Sequence, residues 1–212
     1  MTKAQNLPLV ILLIFPISLV AQHFGVKAGG NHSFMDESGF SLFEVEQFTT
    51  KGGWHIGIYG DVPLGRNLGF QIEALYNRKG VGMNLQDGMT FNANYEYFDI
   101  PILFYYEWKG IQFQAGAATG LIMNHYFYKR DLGTRFDLDL GEWKSVYDVT
   151  VLGGVEYQFG RAHLGIRYEV ALSHTSQNFL VNQGNGVQIG FGHGGYHRNL
   201  MISFGYALLG KT

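Results

Sequence analysis

The sequence predicts an all-β fold, namely an eight-stranded antiparallel transmembrane β-barrel with short periplasmic turns and long outer loops. Three observations predict it. Apolar and polar residues alternate along eight segments, the connections between these segments are alternately short and long, and the composition is rich in glycine and aromatic residues. The length of 212 residues is enough for one such barrel.

Alternation with a period of two residues is clearest in the segment that contains Leu164, Ile166 and Tyr168, which alternate with Arg167 and Glu169. Successive side chains of a strand point to opposite faces, so this segment has one apolar and one polar face. Many of the segments approach the 9–11 residues that a tilted strand needs to cross a bilayer. The predicted strands lie at roughly 23–33, 52–62, 67–78, 94–108, 111–124, 145–159, 162–175 and 198–209.

The connections between these segments alternate strictly in length. The short ones are Pro63–Arg66, Lys109-Gly110 and Gly160-Arg161, and they consist of residues that favour turns. Outer-membrane barrels combine short periplasmic turns with long outer loops in this way. A soluble barrel such as a lipocalin-like carrier is the alternative, but it has no reason to place every long loop at one end. The long connections span roughly 34–51, 79–93, 125–144 and 176–197.

The composition agrees with a membrane barrel. The chain has 30 glycines, 16% aromatic residues and 15% charged residues, whereas a soluble domain has about 25% charged residues. Aromatic residues such as Trp54 and Trp108 fall near opposite ends of their strands, as in the two interfacial girdles of a barrel. The net charge of -2 gives no electrostatic reason to expect nucleic acid as a partner. Without cysteines, neither disulfides nor thiolate metal sites can form.

The first 21 residues have the three parts of a secretory signal. Lys3 supplies the positive charge, the apolar run extends from Leu7 to Val20, and Ala21 is a small residue before the predicted cleavage site. The apolar run is shorter than the roughly 20 residues of a transmembrane helix, although an uncleaved anchor is the alternative. We therefore predict a signal peptide at 1–21, a barrel at 22–212 and a location in the outer membrane of a Gram-negative cell.

The polar strand faces are expected to line the barrel interior, because the apolar faces point to lipid. The interior of an eight-stranded barrel is only wide enough to be filled by side chains, so we expect a hydrogen-bonded ion-pair core with Arg167 as its main counter-charge. Since acids outnumber bases in this set, a proton-sharing or cation site is the alternative. The predicted core residues are Lys27, Glu73, Asp99, Glu107, Asp148, Glu156, Arg167 and Glu169.

Five segments in order resemble the outer-membrane β-barrel family that includes the PorT-type proteins. They are Gly25–Gly29, Glu73–Gly80, Phe98–Leu103, Asp148–Tyr157, and Arg167-Tyr168 with the following Leu172-Ser173. Departures from the family pattern are Asp99 in place of Glu, and Thr150 and Glu156 in place of glycines. The resemblance implies the fold and an outer-membrane location. Some members of that family are linked to protein secretion across the outer membrane, and most have no assigned role.

One residue of these segments, Pro101, is unusual inside a strand. Proline removes a donor from the ladder of backbone hydrogen bonds and normally lies at a sheet edge or a bulge. A closed barrel has no edge, so we expect a local bulge at Pro101. The resemblance implies that this proline belongs to the scaffold.

For function, we expect a non-enzymatic structural or accessory component that is a monomeric barrel in contact with outer-membrane lipid. Its outer loops carry apolar residues such as Phe40 and Phe136, which can mark contacts with a protein partner. We predict no catalytic, cofactor-binding or metal-binding residues. The alternatives are a narrow channel and a hydrolase or acyltransferase at the outer rim. The rim candidates are His125, Ser173 and His174, although adjacent strand residues such as the last two point apart and cannot readily pair.

Overall fold

The computed structural model describes residues 23–35, 45–85, 90–131, 134–138, 147–172, 177–183, 187–193 and 196–210. Within these ranges, no helix is long and apolar enough to cross a membrane. The eight barrel strands are β1 (His23–Met35), β3 (Lys51–Pro63), β4 (Leu68–Leu85), β5 (Thr90–Trp108), β6 (Ile111–Asp131), β8 (Tyr147–Phe159), β9 (Ala162–Ala171) and β12 (His197–Leu209). The four shorter strands are β2 (Val45–Thr49), β7 (Thr134–Leu138), β10 (Gln177–Gln183) and β11 (Val187–His193).

The barrel strands form one closed antiparallel sheet. Each barrel strand pairs with the next one along the chain, and β1 also pairs with β12, so that Ala28 lies between Ile56 of β3 and Phe204 of β12. Closure satisfies the backbone donors and acceptors that an open sheet edge would expose to hydrocarbon. The predicted fold class, an eight-stranded antiparallel barrel, is confirmed.

The three short connections lie at one end of the barrel, which we call the turn end; the opposite end is the loop end. At the turn end, β5 and β6 are joined by Lys109 and Gly110, whose φ angles are 51° and 79°. Two successive positive φ angles give the type of hairpin turn whose twist matches that of the flanking strands. Gly160, between β8 and β9, also has a positive φ of 64°.

At the loop end, the predicted long connections contain more strand structure than the sequence pattern indicates. β4 continues to Leu85 and β5 begins at Thr90, so most of the predicted loop 79–93 is a hairpin. β2 pairs with β4, β7 pairs with β6, and β10 and β11 form a separate two-stranded sheet. The apolar–polar alternation ends earlier than the strands do. Beyond the membrane the outer face need not be apolar, although the backbone ladder continues.

The side-chain distribution is the reverse of that in a soluble domain. Outward side chains such as Ile102 and Phe204 are both 52% exposed, whereas the inward Glu73 has no exposed surface. Along β4, the outward apolar residues run from Leu68 to Tyr76, and the next outward residue is charged. Transmembrane barrels have such an outward apolar band with a polar interior.

Pro101 does not cause a bulge, contrary to the expectation. The β4–β5 pairing is interrupted between Ile72↔Ile102 and Leu75↔Asp99, but its register is the same on both sides of the interruption. The register shift of β5 occurs on its other side, against β6, between Glu96 and Tyr97. The backbone hydrogen bond that Pro101 cannot donate is therefore absent at a local gap in the β4–β5 ladder, and both strands keep their register.

Several inward glycines lie where a larger residue would collide with a neighbouring polar side chain. Gly205 of β12 is opposite His163 of β9, and a Cβ atom at Gly205 would overlap the His163 imidazole. We expect Gly205→Val to lower the free energy of unfolding by about 1–3 kcal/mol, the usual cost of overpacking a core. Urea unfolding of the protein in lipid vesicles, followed by tryptophan fluorescence, measures this change.

The matched control is Gly153→Val, because a Cβ atom at this outward glycine would meet only a backbone oxygen, at 3.8 Å. This variant should unfold at the urea concentration of the wild type. A second variant, Gly205→Val combined with His163→Ala, removes the colliding ring and should recover part of the loss. Equal destabilisation by both glycine substitutions would contradict the explanation by close approach.

Candidate functional site

The barrel interior is the densest cluster of buried polar side chains among the described residues. Every second residue of each strand points inward, and six strands, namely β1, β3, β4, β5, β8 and β9, have a buried charged side chain at such a position. Seven of the eight residues predicted for the core are buried there, namely Lys27, Glu73, Asp99, Asp148, Glu156, Arg167 and Glu169.

The turn-side cluster consists of Lys27, Glu73, Glu156, His163 and Arg167. Lys27 Nζ bridges two carboxylates, at 2.8 Å from Glu73 Oε1 and 2.9 Å from Glu156 Oε2. Arg167 donates two hydrogen bonds to Glu73, at 2.8 and 2.9 Å. His163 pairs with the other oxygen of Glu156. The charges of Lys27 and Arg167 therefore balance those of Glu73 and Glu156 in contacts from four strands.

The loop-side cluster is centred on Lys79. Its Nζ lies 2.9 Å from Asp99 Oδ2 and 3.2 Å from Glu169 Oε2. Asn77 donates to Asp99 at 2.8 Å, and Asn199 donates to Glu169 at 3.1 Å. Amide groups thus complete the coordination of both carboxylates, as buried charges require.

Asp148 adds a further buried carboxylate to this part of the barrel. It lies opposite Gly120 of β6, which in turn lies opposite Asp99 of β5. Gly120 has no side chain, and the Asp99 carboxylate occupies the space beside it, because a Cβ atom at Gly120 would lie 2.5 Å from Asp99 Oδ1 and 3.7 Å from Asp148 Cβ. The loop-side cluster accordingly contains Asp99, Asp148 and Glu169 around the single ammonium group of Lys79.

Neutral polar side chains connect the charged residues to the rest of the interior. Gln114 donates to Gln71 at 2.8 Å, and its carbonyl oxygen accepts from Arg167 at 3.1 Å. His55 contacts Asn31 at 2.6 Å and Ser203 at 2.9 Å through its two ring nitrogens. The ion pairs are therefore parts of a hydrogen-bonded network that spans the barrel cross-section.

Apolar and aromatic side chains fill the space between these polar groups. Leu103, Ala118 and Leu152 form a buried apolar cluster. At the turn end, a cavity of about 20 Å³ is lined by residues that include Tyr59 and Asp61. A cavity of this size holds about one water molecule.

Glu107 does not join the core, contrary to the prediction. It is the second-last residue of β5, lies at the turn end and is half-buried. Within the described residues it makes no ion pair. Its backbone carbonyl accepts a hydrogen bond of 2.8 Å from Asn67. Glu107 shares the inward alternation of Asp99, but it lies too close to the barrel mouth to be covered.

Arg167 was predicted to be the main counter-charge, but it shares this role with Lys27 and Lys79. It binds one carboxylate through two hydrogen bonds, whereas Lys27 and Lys79 each bridge two carboxylates. The sequence reasoning missed Lys79 because it assigned this residue to the second outer loop. The six-residue spacing from Glu73 is the signal that could have found it, because an even spacing along one strand puts both side chains on the same face.

Of the three rim candidates for a catalytic site, the structure describes only His125. His125 lies in β6 and is half-buried. Ser173 and His174 lie outside the described residues. In the described ranges, no three His, Asp or Glu side chains are grouped so that they could hold a metal ion.

A closed eight-stranded barrel with an apolar outer face and a polar, ion-paired interior defines a transmembrane β-barrel of the outer-membrane class. The chain matches the family described as "Outer membrane protein beta-barrel domain" over residues 4–177, and it belongs to this family. The protein is accordingly located in the cell outer membrane. Its turn end faces the periplasm and its loop end faces outward, by the rule that periplasmic turns are short.

Solved structures of outer-membrane proteins have the same fold. OprG of Pseudomonas aeruginosa is 11% identical with a TM-score of 0.52, and the match covers 89% of this chain and 97% of OprG. Ail, the attachment invasion locus protein of Yersinia pestis, is 9% identical with a TM-score of 0.50, and the match covers 89% of this chain and 99% of Ail. No curated protein sequence is significantly similar to the chain.

Proposed function

We propose that this protein is a non-enzymatic, monomeric outer-membrane barrel that acts as a structural or accessory component and binds a protein partner at its loop end. The observation that supports this proposal most strongly is the packed interior. Glu73 is fully buried and shared by Lys27 and Arg167, which reach it from β1 and β9. An interior of this kind stabilises the barrel wall and leaves the loop end as the surface for recognition.

The strands at the loop end support partner binding. β4 continues to Leu85, β5 begins at Thr90 and β6 continues to Asp131. All three strands therefore extend past the level at which the outward apolar band ends. β2 pairs with β4 and β7 pairs with β6, so these two short strands are at the borders of the extended sheet. Border strands can add an extended segment of another protein through backbone hydrogen bonds.

A secretion-related role is the more specific form of this proposal. It depends on the resemblance of Glu73–Gly80 and Phe98–Leu103 to segments of the PorT-type proteins, some of which are linked to secretion. In that case the partner is a component of a secretion apparatus.

The test is to isolate the tagged protein from native outer membranes in mild detergent, and to measure the mass of the complex and its composition. We expect a stoichiometric protein partner that is lost when residues 36–44, in the first predicted outer loop, are replaced by a short Gly-Ser linker. The matched control replaces residues 86–89, in the second predicted loop, and should retain the partner. A bare monomer from wild-type membranes would overturn the accessory role.

The narrow channel is tested separately with the purified barrel in planar lipid bilayers. The packed interior predicts no conductance steps above those of a protein-free bilayer, because passage of ions requires displacement of the ion pairs around Lys27, Lys79 and Arg167. Reproducible steps that change in size with Arg167→Gln would instead establish a channel through this interior.

A further inference from the structure

Asp61 is a buried carboxylate near the turn end that was not among the predicted core residues. It is 7% exposed, and its Oδ1 atom accepts no hydrogen bond from the described residues. Gln71, which lies opposite Asp61 on β4, donates a hydrogen bond to the carboxylate. A carboxylate that is removed from water is normally paired with a cationic side chain or binds a metal ion. The Oδ1 atom therefore lacks the partner that a buried charge requires.

Asp61 lines the cavity at the turn end, which we call the turn-end cavity and which has a volume of about 20 Å³. The wall of this cavity comes from opposite sides of the barrel and includes residues of β3, β6, β8 and β9. It also includes Arg161 of the β8–β9 turn, which is exposed, so the cavity opens toward the periplasm. A space of this volume holds one water molecule or one metal ion of similar size.

We propose that the turn-end cavity binds one alkali-metal cation, with Asp61 as its charged ligand. The ion would be held by the Oδ1 atom that accepts no hydrogen bond. This proposal does not depend on partner binding, because it concerns the interior at the periplasmic end of the barrel rather than the loop end.

The charge of Asp61 is not balanced by the ion pairs around it. The turn-side cluster has two cations and two carboxylates that are paired with one another. His163 pairs with Glu156, and no ion pair within the described ranges involves Asp61. Arg161 is exposed to water and forms no ion pair with another described residue. One buried negative charge therefore remains when His163 is neutral, and a monovalent cation would neutralise it.

The other polar groups in the wall supply oxygen donors. The wall includes Gln112, Gln158 and Tyr59, whose side chains carry amide and phenolic oxygens. Gln158 donates to the backbone oxygen of Gly160 at 3.4 Å through its amide nitrogen, which leaves its carbonyl oxygen as an acceptor. Uncharged oxygens with a single carboxylate suit a monovalent ion, whereas sites for divalent ions such as Ca²⁺ commonly combine several carboxylates. The part of the chain that the structure describes holds no such group of acidic or histidine side chains.

The wall of the turn-end cavity is held in place by close packing around Tyr59. The Tyr59 ring covers Gly25 of β1, where a Cβ atom would lie 2.6 Å from the ring. The same ring meets His163 edge to face, with the two ring centroids 4.8 Å apart. His163 in turn lies against Gly205 of β12. The space next to Asp61 is therefore bounded by packed rings, and the partner that fits it is a small ion from solution.

Urea unfolding of the full barrel in phosphatidylcholine vesicles tests the proposal at about pH 8, where an ordinary histidine is neutral. Unfolding is compared in sodium chloride and in the same concentration of N-methyl-D-glucamine chloride, whose cation is too large for the cavity. A ligand that binds only the folded state stabilises it in proportion to the logarithm of the ligand concentration. We expect the wild-type midpoint to be higher in sodium chloride, and to rise with sodium concentration at constant ionic strength as one bound ion per barrel requires.

Asp61→Asn removes the charged ligand with little change in shape. We expect the midpoint of this variant to be equal in the two salts. In N-methyl-D-glucamine chloride the variant should be at least as stable as the wild type, because the uncompensated buried charge is gone. A variant that is less stable than the wild type by the same amount in both salts would show that Asp61 has a structural role only, and would contradict the proposal.

The matched control is Glu107→Gln, which neutralises a half-buried carboxylate at the turn end outside the cavity wall. It should keep the full sodium effect of the wild type. Heat-dependent mobility on gels shows whether all variants are folded barrels. A wild-type midpoint that is the same in both salts would overturn the proposal. So would a sodium effect that Glu107→Gln loses to the same extent as Asp61→Asn.

Discussion

Replacement of Glu73 by Gln is expected to lower the free energy of unfolding by about 3–5 kcal/mol, the range for a buried ion pair that loses one partner. Glu73 has no exposed surface and accepts contacts from Lys27 at 2.8 Å and from Arg167 at 2.8 and 2.9 Å. The neutral amide would leave two buried cations with a single remaining carboxylate, Glu156. Urea unfolding in lipid vesicles measures the loss, and heat resistance on gels gives an independent reading.

The control for this prediction is Glu107→Gln, which changes a half-buried carboxylate at the turn end. Within the described residues Glu107 makes no ion pair, so its replacement should change the unfolding midpoint little. The double variant Glu73→Gln with Arg167→Met also removes one of the two cations that pair with Glu73. It should therefore recover part of the lost free energy of unfolding. An unfolding midpoint of Glu73→Gln equal to that of the wild type would show that the ion pairs do not stabilise the barrel.

Replacement of Lys79 by Met is expected to have a comparable effect, about 3–5 kcal/mol, because Lys79 is the ammonium group shared by Asp99 and Glu169. Without it, the loop-side cluster would hold these two carboxylates and the nearby Asp148 with no lysine between them. The expected compensation is uptake of protons by the carboxylates, so the variant should be more stable at acidic than at neutral pH. Unfolding midpoints at two pH values measure both effects.

Lys109→Met is the matched control, since Lys109 lies in an exposed turn over the Trp108 ring, 5.1 Å from its centroid. It should unfold as the wild type does at both pH values. Adding Asp99→Asn to Lys79→Met should restore part of the stability by removing one unpaired charge. A Lys79→Met barrel that is as stable as the control would show that Lys79 is not the central cation of this cluster.

The fold and most of the core followed from one regularity of the sequence, the alternation of side chains along a strand. Arg167 and Glu169 lie between outward apolar residues of β9, and this position alone places them inside. The same rule predicted Glu107 inside, because alternation gives the face of a residue but not its depth. Depth depends on where the barrel mouth lies, which in turn depends on the register and tilt of all eight strands.

Lys79 shows the opposite limit. The apolar alternation of β4 ends near Tyr76, so the sequence indicated a loop from residue 79 onward. In the structure the strand continues to Leu85 through pairing with β5. Backbone pairing carries no side-chain signature beyond the lipid band, and the extent of such strands is set by tertiary contacts.

The segments that resemble the PorT-type proteins contain several members of the ion-pair core. Glu73 and Lys79 come from one segment, Asp99 and Asp148 from two others, and Arg167 from a fourth. Each segment therefore brings at least one buried charge whose partner lies on another strand.

The seam between β1 and β12 has a consequence for how the protein is assembled. The seam joins the two ends of the described chain, with Gly25 opposite Ala207 and Met35 opposite His197. Contacts between such distant parts of a chain are entropically costly and slow folding. The first strand must therefore stay unpaired on one side until the last strand has been delivered, and the partly built sheet has two open edges in the meantime. These open edges can pair with other chains and aggregate until the barrel closes. Because both edges become part of the seam, they cannot carry features that block pairing, so the unfinished barrel needs protection from other components of the cell.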